Sequence, residues 1–188
     1  MLLKLIRNVK KRHINYVDAV EMRSWKRMPK FGYSITELDT EKTVKASGRE
    51  LKISPKHARE VCRTIKGMNL DKAKRYLEQV VVKKQSVPFR RFAKKLGHRR
   101  GTPKTMAGKY PVKAATEILK VLESAEGNAE FKGLDIERLR VTWALSYPGI
   151  KIKRAIPRAF GRSSPKNKTL THVEIALKEM EEKTEEAM

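Results

Sequence analysis

Apolar residues recur at three- and four-residue spacing in three stretches of the chain and at two-residue spacing in two others, which predicts helices and strands respectively. In SPKHAREVCRTIKG, residues 54 to 67, Ala58, Val61, Cys62 and Ile65 share one helical face. Ser54 suits the N-cap there, Pro55 the first helical position and Gly67 the C-terminal cap. Cys62 reads as a small buried hydrophobe. Asn69 caps a second helix whose buried stripe is Leu70, Ala73, Tyr76, Leu77, Val80 and Val81, with Lys72, Lys74 and Arg75 facing outward. Pro111 opens a third, carrying Val112, Ala115, Ile118, Leu119, Leu122 and Ala125, and Gly127 with Asn128 closes it.

After Gly133-Leu134-Asp135 the period changes to two. Leu139, Val141, Trp143, Leu145 and Tyr147 alternate with Arg140, Thr142, Ala144 and Ser146, the pattern of a strand with one buried face. Thr171, Val173, Ile175 and Leu177 mirror it against His172, Glu174 and Lys178, and a short earlier strand is expected over 49–53. The expected fold is α+β: three helices packed on a small antiparallel sheet of about three strands, with a globular body formed by residues 31–147 and 169–178. Beyond Tyr147 the apolar positions move from odd to even, at Ile150, Ile152 and Ile156, with Pro148-Gly149 at the switch. A bulge or kink there exchanges the two faces, so residues 148–168 are expected to leave the body as a long extended β-hairpin. Fully extended, its outgoing strand would reach about 30 Å.

Charge turns this architecture toward a partner. The 188 residues hold 44 Lys and Arg against 21 Asp and Glu, a formal charge of +23 that a compact fold carries only against self-repulsion, so a polyanion is the expected partner. The excess is segregated. No acid occurs between Glu78 and Glu117 or between Glu137 and Glu174, whereas acids and bases are interspersed from Lys52 to Glu78. The first acid-free window contains a Gly/Pro-punctuated basic loop, residues 84–110, expected to be too polar to make its own core and long enough to be functional. From these windows the candidate nucleic-acid contacts are Lys83, Lys84, Arg90, Arg91, Lys94, Lys95, His98, Arg99, Arg100 and Lys104 around the loop, and Lys151, Lys153, Arg154, Arg158, Arg162, Lys166 and Lys168 in the hairpin. An isolated two-stranded ribbon is marginal in water, but this one gains stability between phosphate backbones, where its cations release counterions. The sequence reverses sign from Glu174 onward, and residues 179–188 read as a solvated acidic tail.

Residues 1–30 are basic, loosely patterned and assigned no fold. MLLKLIRNVKKRH lacks the continuous apolar core of a secretory signal, and no apolar run approaches the roughly 18 residues of a membrane span, so an intracellular protein without membrane insertion is expected. The lone Cys62 and the scattered His13, His57, His98 and His172 give no metal-ligand spacing, and no cofactor is called for.

KRAIPRAFGR, residues 153–162, resembles the hairpin-tip motif of the large-subunit ribosomal protein twenty-two family, basic-Arg-x-x-Pro-Arg-Ala-x-Gly-Arg. SPKHAREVCRTIKGM, KAKRYLEQVVVKKQSVPFRRF, SAEGNAEFKGLD and the strand ending HVEIAL follow the family order over roughly residues 31 to 178. The long segment from VPFRRF to GKYP resembles the archaeal and eukaryotic branch. Members of that branch begin near MPKFGYSI, so either residues 1–27 are a basic extension or Met28 is the natural start, and the resemblance assigns them no role. It implies a structural protein of the large ribosomal subunit in the cytoplasm. Its partners would be large-subunit ribosomal RNA, neighbouring large-subunit ribosomal proteins and the nascent polypeptide. The body would sit near the polypeptide exit, with a hairpin tip of Arg154, Ile156, Pro157, Arg158, Ala159, Phe160, Gly161 and Arg162 lining the tunnel; Phe160 falls at the motif's variable position.

A catalytic reading finds no support. MAGKY superficially resembles a phosphate-binding loop, but Pro103 stands where that motif needs Gly and Tyr110 where it needs Ser or Thr. No nucleophile, base and orienting group stand together. The rivals are a DNA-architectural protein with a basic ribbon in a groove and a scaffold for acidic proteins.

Overall fold

Three antiparallel strands in the order β1-β7-β4 form the central sheet of the computed structural model, which describes residues 32–36, 38–39, 41–102 and 107–180. The chain divides into two units, Met1–Thr36 and Glu37–Met188, and every element below belongs to the second. The expected basic extension, residues 1–30, lies outside the described residues.

The strands of the sheet are β1 (Thr43–Leu51), β4 (Leu139–Ile152) and β7 (Lys168–Glu179), and the helices are α1 (Pro55–Ile65), α2 (Leu70–Val81) and α3 (Val112–Lys132). α1 packs on β4, α3 packs on β1 and β7, and α2 lies against α3. The predicted stripes are largely the ones buried: Ala58, Val61, Cys62 and Ile65 on α1; Leu70, Ala73, Tyr76, Leu77 and Val80 on α2; Ala115, Ile118, Leu122 and Ala125 on α3; Val81, Val112 and Leu119 are only partly buried. They meet Val141, Val173, Ile175 and Leu177 of the sheet in one core. Burial of this kind, at about 25 cal/mol per Å² of apolar surface, drives the assembly. Burial also pushes the Cys62 thiol up to about 12, leaving it an inert hydrophobe.

Several local readings are corrected. β1 begins at Thr43, six residues before the expected strand, and Ile53 lies beyond its end. Ser54 and Asn69 take the extended N-cap conformation, but neither side chain makes a capping hydrogen bond. α3 does not close at Gly127-Asn128; it runs on to Lys132, burying Ala129, and ends where Gly133 adopts a left-handed φ of 73°. There the Leu134 amide donates to the Ala129 carbonyl at 3.1 Å. A Gly inside a helix costs about 1 kcal/mol, which another turn packed on the core outweighs.

The alternation in β4 breaks earlier than expected. Val141 pairs with Leu177 and Trp143 with Ala176, so Thr142 is an extra residue and Trp143 turns outward while Ala144 is buried. A second register shift falls between Pro148 and Lys151, at the predicted switch. β7 is the middle strand, paired along both edges, and from Val173 to Leu177 the residues on both its faces are buried. Glu174 is therefore buried, not part of a solvated end, and the Tyr147 hydroxyl donates to its carboxylate. Glu179 still belongs to β7, pairing with Leu139, so the tail does not begin there; residues 181–188 lie outside the described residues.

The basic loop is also more structured than its composition predicts. β2 (Val87–Phe89) pairs with β3 (Ala107–Lys109), and Ser86, Val87 and Phe89 are buried.

Candidate nucleic-acid interface

Two cationic surfaces carry the candidate residues. In the first, the loop from Lys83 to Arg100, the candidates Lys83, Lys84, Arg90, Arg91, Lys94, Lys95, His98, Arg99 and Arg100 are all exposed, and Lys104 lies outside the described residues. None of them is ion-paired to a carboxylate among the described residues.

What shapes this loop is a residue the sequence reading missed. Glu60, fully buried on α1, accepts the Arg90 amide on Oε2 at 3.1 Å and the amides of Arg91 and Phe92 on Oε1 at 2.9 and 3.1 Å. Three successive amides form a concave anion site, and here the protein's own carboxylate fills it. Hydrogen bonds to a charged acceptor are the strong ones, and they fix the backbone from which Arg90 and Arg91 project. The signal available in the sequence was the acid itself, beside the apolar stripe of α1 and ahead of an acid-free loop.

Further ties close the loop. The Tyr76 hydroxyl donates to the Ser86 carbonyl at 3.1 Å, the Ser86 hydroxyl to the Arg100 carbonyl at 3.0 Å, and the Gly108 amide to the Gly97 carbonyl at 3.2 Å. Burial pushes the Tyr76 phenol up to about 12, so it stays a donor. His57 packs edge-on to Phe89 at 5.5 Å and has Lys109 Nζ 3.4 Å from its Nε2; burial and then the Lys109 charge lower its pKa, which suits a neutral ring accepting from the ammonium. Lys56 Nζ and the Arg91 guanidinium lie 5.6 and 5.8 Å from the Phe92 ring centre.

The second surface is the ribbon. β4 and β7 remain paired out to Ile152 and Lys168, and β5 (Ala155–Pro157) pairs with β6 (Ser163–Pro165). From 150 to 168 every residue is exposed except the partly buried Ile156 and Ser164, so Lys151, Lys153, Arg154, Arg158, Arg162, Lys166 and Lys168 all face solvent. Pro157 and Pro165 leave gaps in the edge donors, which discourages pairing with another chain. The Lys166 amide donates to the Arg154 carbonyl at 2.6 Å and the Arg158 amide to the Arg162 carbonyl at 2.8 Å, which places Arg158 across from Arg162.

The tip is a two-residue turn. The Arg162 amide donates to the Ala159 carbonyl, and Phe160 and Gly161 both have positive φ, 57° and 66°, as in a type I′ hairpin. Phe160, 98% exposed, is a bulky residue in the left-handed region, with no packing from the described residues to offset the strain. Sequence reasoning placed Phe160 at the tip but not in this conformation.

Among the described residues no group of three His, Cys, Asp or Glu could hold a metal ion, and no helix is long and apolar enough to cross a membrane.

The family model described as ribosomal protein L22p/L17e matches residues 46–178. The large ribosomal subunit protein uL22 of Methanopyrus kandleri is 54% identical over 158 residues, covering 81% of this chain and 99% of that one. Its counterpart in Cenarchaeum symbiosum is 51% identical over 152 residues, with 81% and 99% covered, and that of Nitrosopumilus maritimus is 46% identical over 153 residues, with 81% and 100% covered. With its helices, sheet order and tip motif inside the matched span, the chain belongs to the ribosomal protein L22p/L17e family, alongside its archaeal members, and is a structural ribosomal protein, not an enzyme.

Proposed function

We propose that this protein is a constituent of the cytoplasmic large ribosomal subunit that binds large-subunit ribosomal RNA through the Glu60-shaped loop and the cationic ribbon and supports subunit assembly. The body lies near the polypeptide exit beside neighbouring ribosomal proteins, and the tip from Arg154 to Arg162 reaches inward to line the tunnel passed by the nascent chain. The observation that carries the reading is the ribbon: seven Lys or Arg and no acid between 151 and 168, nearly all exposed and without carboxylate partners among the described residues. Such a surface is stabilised by polyanion backbones through counterion release. The planar guanidinium groups of Arg154, Arg158 and Arg162 add bidentate phosphate contacts and stacking on bases.

Crosslinking within the assembled particle tests this. A photoreactive group at Ala159 is expected to join tunnel-wall RNA and, on translating ribosomes, the nascent chain. Adducts to surface RNA alone, or to DNA in a cell extract, would overturn the placement.

A further inference from the structure

A third cationic surface lies on α1, in the stretch where acids and bases alternate along the sequence. The exposed residues Lys56, Arg59, Arg63 and Lys66 follow one another at spacings of three, four and three, so they share one helical face, about 15 Å long. The one acid of α1, Glu60, is buried one turn from Lys56 and Arg63, and its carboxylate is taken up by the amides of the loop. Linear charge mixing thus hides a stripe on a helix that exposes no acid.

Beside the stripe, α1 and β4 enclose a groove of about 480 Å³ lined by Arg59, Arg63, Lys66, Leu145 and Ser146, with no carboxylate in its lining. The Ser146 hydroxyl is buried and has no hydrogen-bond partner among the described residues. Next to the groove, the extra residue at Thr142 turns Trp143 outward to 37% exposure, and Lys66 Nζ sits 3.9 Å from its ring centre. That contact holds the ammonium in place and leaves part of the indole open.

We propose that this groove binds a segment of RNA sugar–phosphate backbone, with Arg59, Arg63 and Lys66 on phosphates and Trp143 packing on a sugar or base. The inference rests on the reading that the chain binds ribosomal RNA, and adds a face separate from the loop and the ribbon. Two arginine forks and a lysine ammonium match phosphate chemistry, and an overall charge of +23 favours a polyanion over an acidic peptide.

The test measures binding of the full-length protein to transcribed large-subunit ribosomal RNA across a salt series. The wild type is expected to show a steep slope of log affinity against log salt. The triple variant Arg59→Ala, Arg63→Ala, Lys66→Ala is expected to flatten it by about 2 to 3, the contribution of three phosphates. The charge-preserving pair Arg59→Lys, Arg63→Lys should restore most of that slope, which a folding defect would not, and unchanged circular dichroism would exclude one directly. If the triple variant keeps the wild-type slope while Arg158→Ala, Arg162→Ala lowers it, the groove proposal fails and the RNA-binding reading stands. A flat slope in the wild type would overturn both. Within the particle, a photocrosslinker at Arg63 should capture RNA; capture of a neighbouring protein alone would assign this face to protein and overturn the inference.

Discussion

Glu60 and Arg91 are 31 positions apart, yet the Glu60 carboxylate accepts the Arg91 amide at 2.9 Å and takes the amides of Arg90 and Phe92 beside it. A residue of the helical body thereby sets the backbone of a loop that faces outward. Replacing Glu60 with Ala leaves three amides without their acceptor and is expected to cost about 3 kcal/mol in urea denaturation. Glu60→Gln, which keeps one acceptor oxygen, should cost less. Trypsin should cut at Arg90 and Arg91 faster in both variants, and wild-type cleavage rates would show that Glu60 does not organise the loop.

Arg158 and Arg162 face each other across the tip, exposed and held by main-chain bonds alone. Changing both to Ala should leave the unfolding free energy within about 0.5 kcal/mol of wild type, as exposed positions usually do. The salt slope of RNA binding should fall by about 1.4 to 1.8, the share of two phosphates. Calorimetry and filter binding on the same preparations separate the two effects.

At the root of the ribbon, a Cβ on Gly149 would lie 2.5 Å from His172 Nε2. The His172 ring has its Nδ1 3.1 Å from the Glu50 amide and packs on Tyr147 at 5.4 Å. Gly149→Ala must displace that ring, at an expected cost of about 1 to 2 kcal/mol. In the double variant with His172→Ala the obstacle is gone, so the two costs should fall short of additive in a double-mutant cycle. Additive costs would mean the ring is not what Gly149 accommodates.

Alkaline pH offers a separate check on the interior. Burial, foremost, raises the Cys62 thiol from 9.0 and the Tyr76 and Tyr147 phenols from 10.0, all to about 12, with the Glu174 carboxylate adding to the shift at Tyr147. Groups whose pKa is raised by folding bind protons more tightly when native, so their contribution is fully present below their unfolded values and is lost as pH climbs toward 12. Stability should therefore fall from about pH 9 upward, less steeply in Tyr76→Phe. A flat profile to pH 12 would contradict these environments.

Amides from 150 to 168 are expected to exchange rapidly in the RNA-free protein, where few contacts hold the ribbon, and slowly in the particle. Protection already present in the free monomer would show that the ribbon is ordered without RNA.

The helices were legible because their apolar stripes coincide with the faces buried against the sheet or a neighbouring helix, and the exposure of the candidate cations followed from segregated charge. What stayed hidden depends on partners distant in the chain. Thr142 carries no bulge signal; its extra residue is visible only against Leu177 and Ala176 of β7. Gly127 reads as a stop, yet Ala129 beyond it has core to bury against. Glu60 reads as one more surface acid until the amides of residues 90–92 arrive beside it, and the exposed side of α1 becomes purely cationic only once that acid is known to be buried.

β7 is at once the central strand and the returning limb of the ribbon, unbroken from Lys168 to Glu179. The arm is thus cantilevered from the most firmly anchored beam of the body. A tug at the far end draws β4 and β7 outward together, so the load falls in shear on the β1 ladder, many rungs at once, before any single bond must yield.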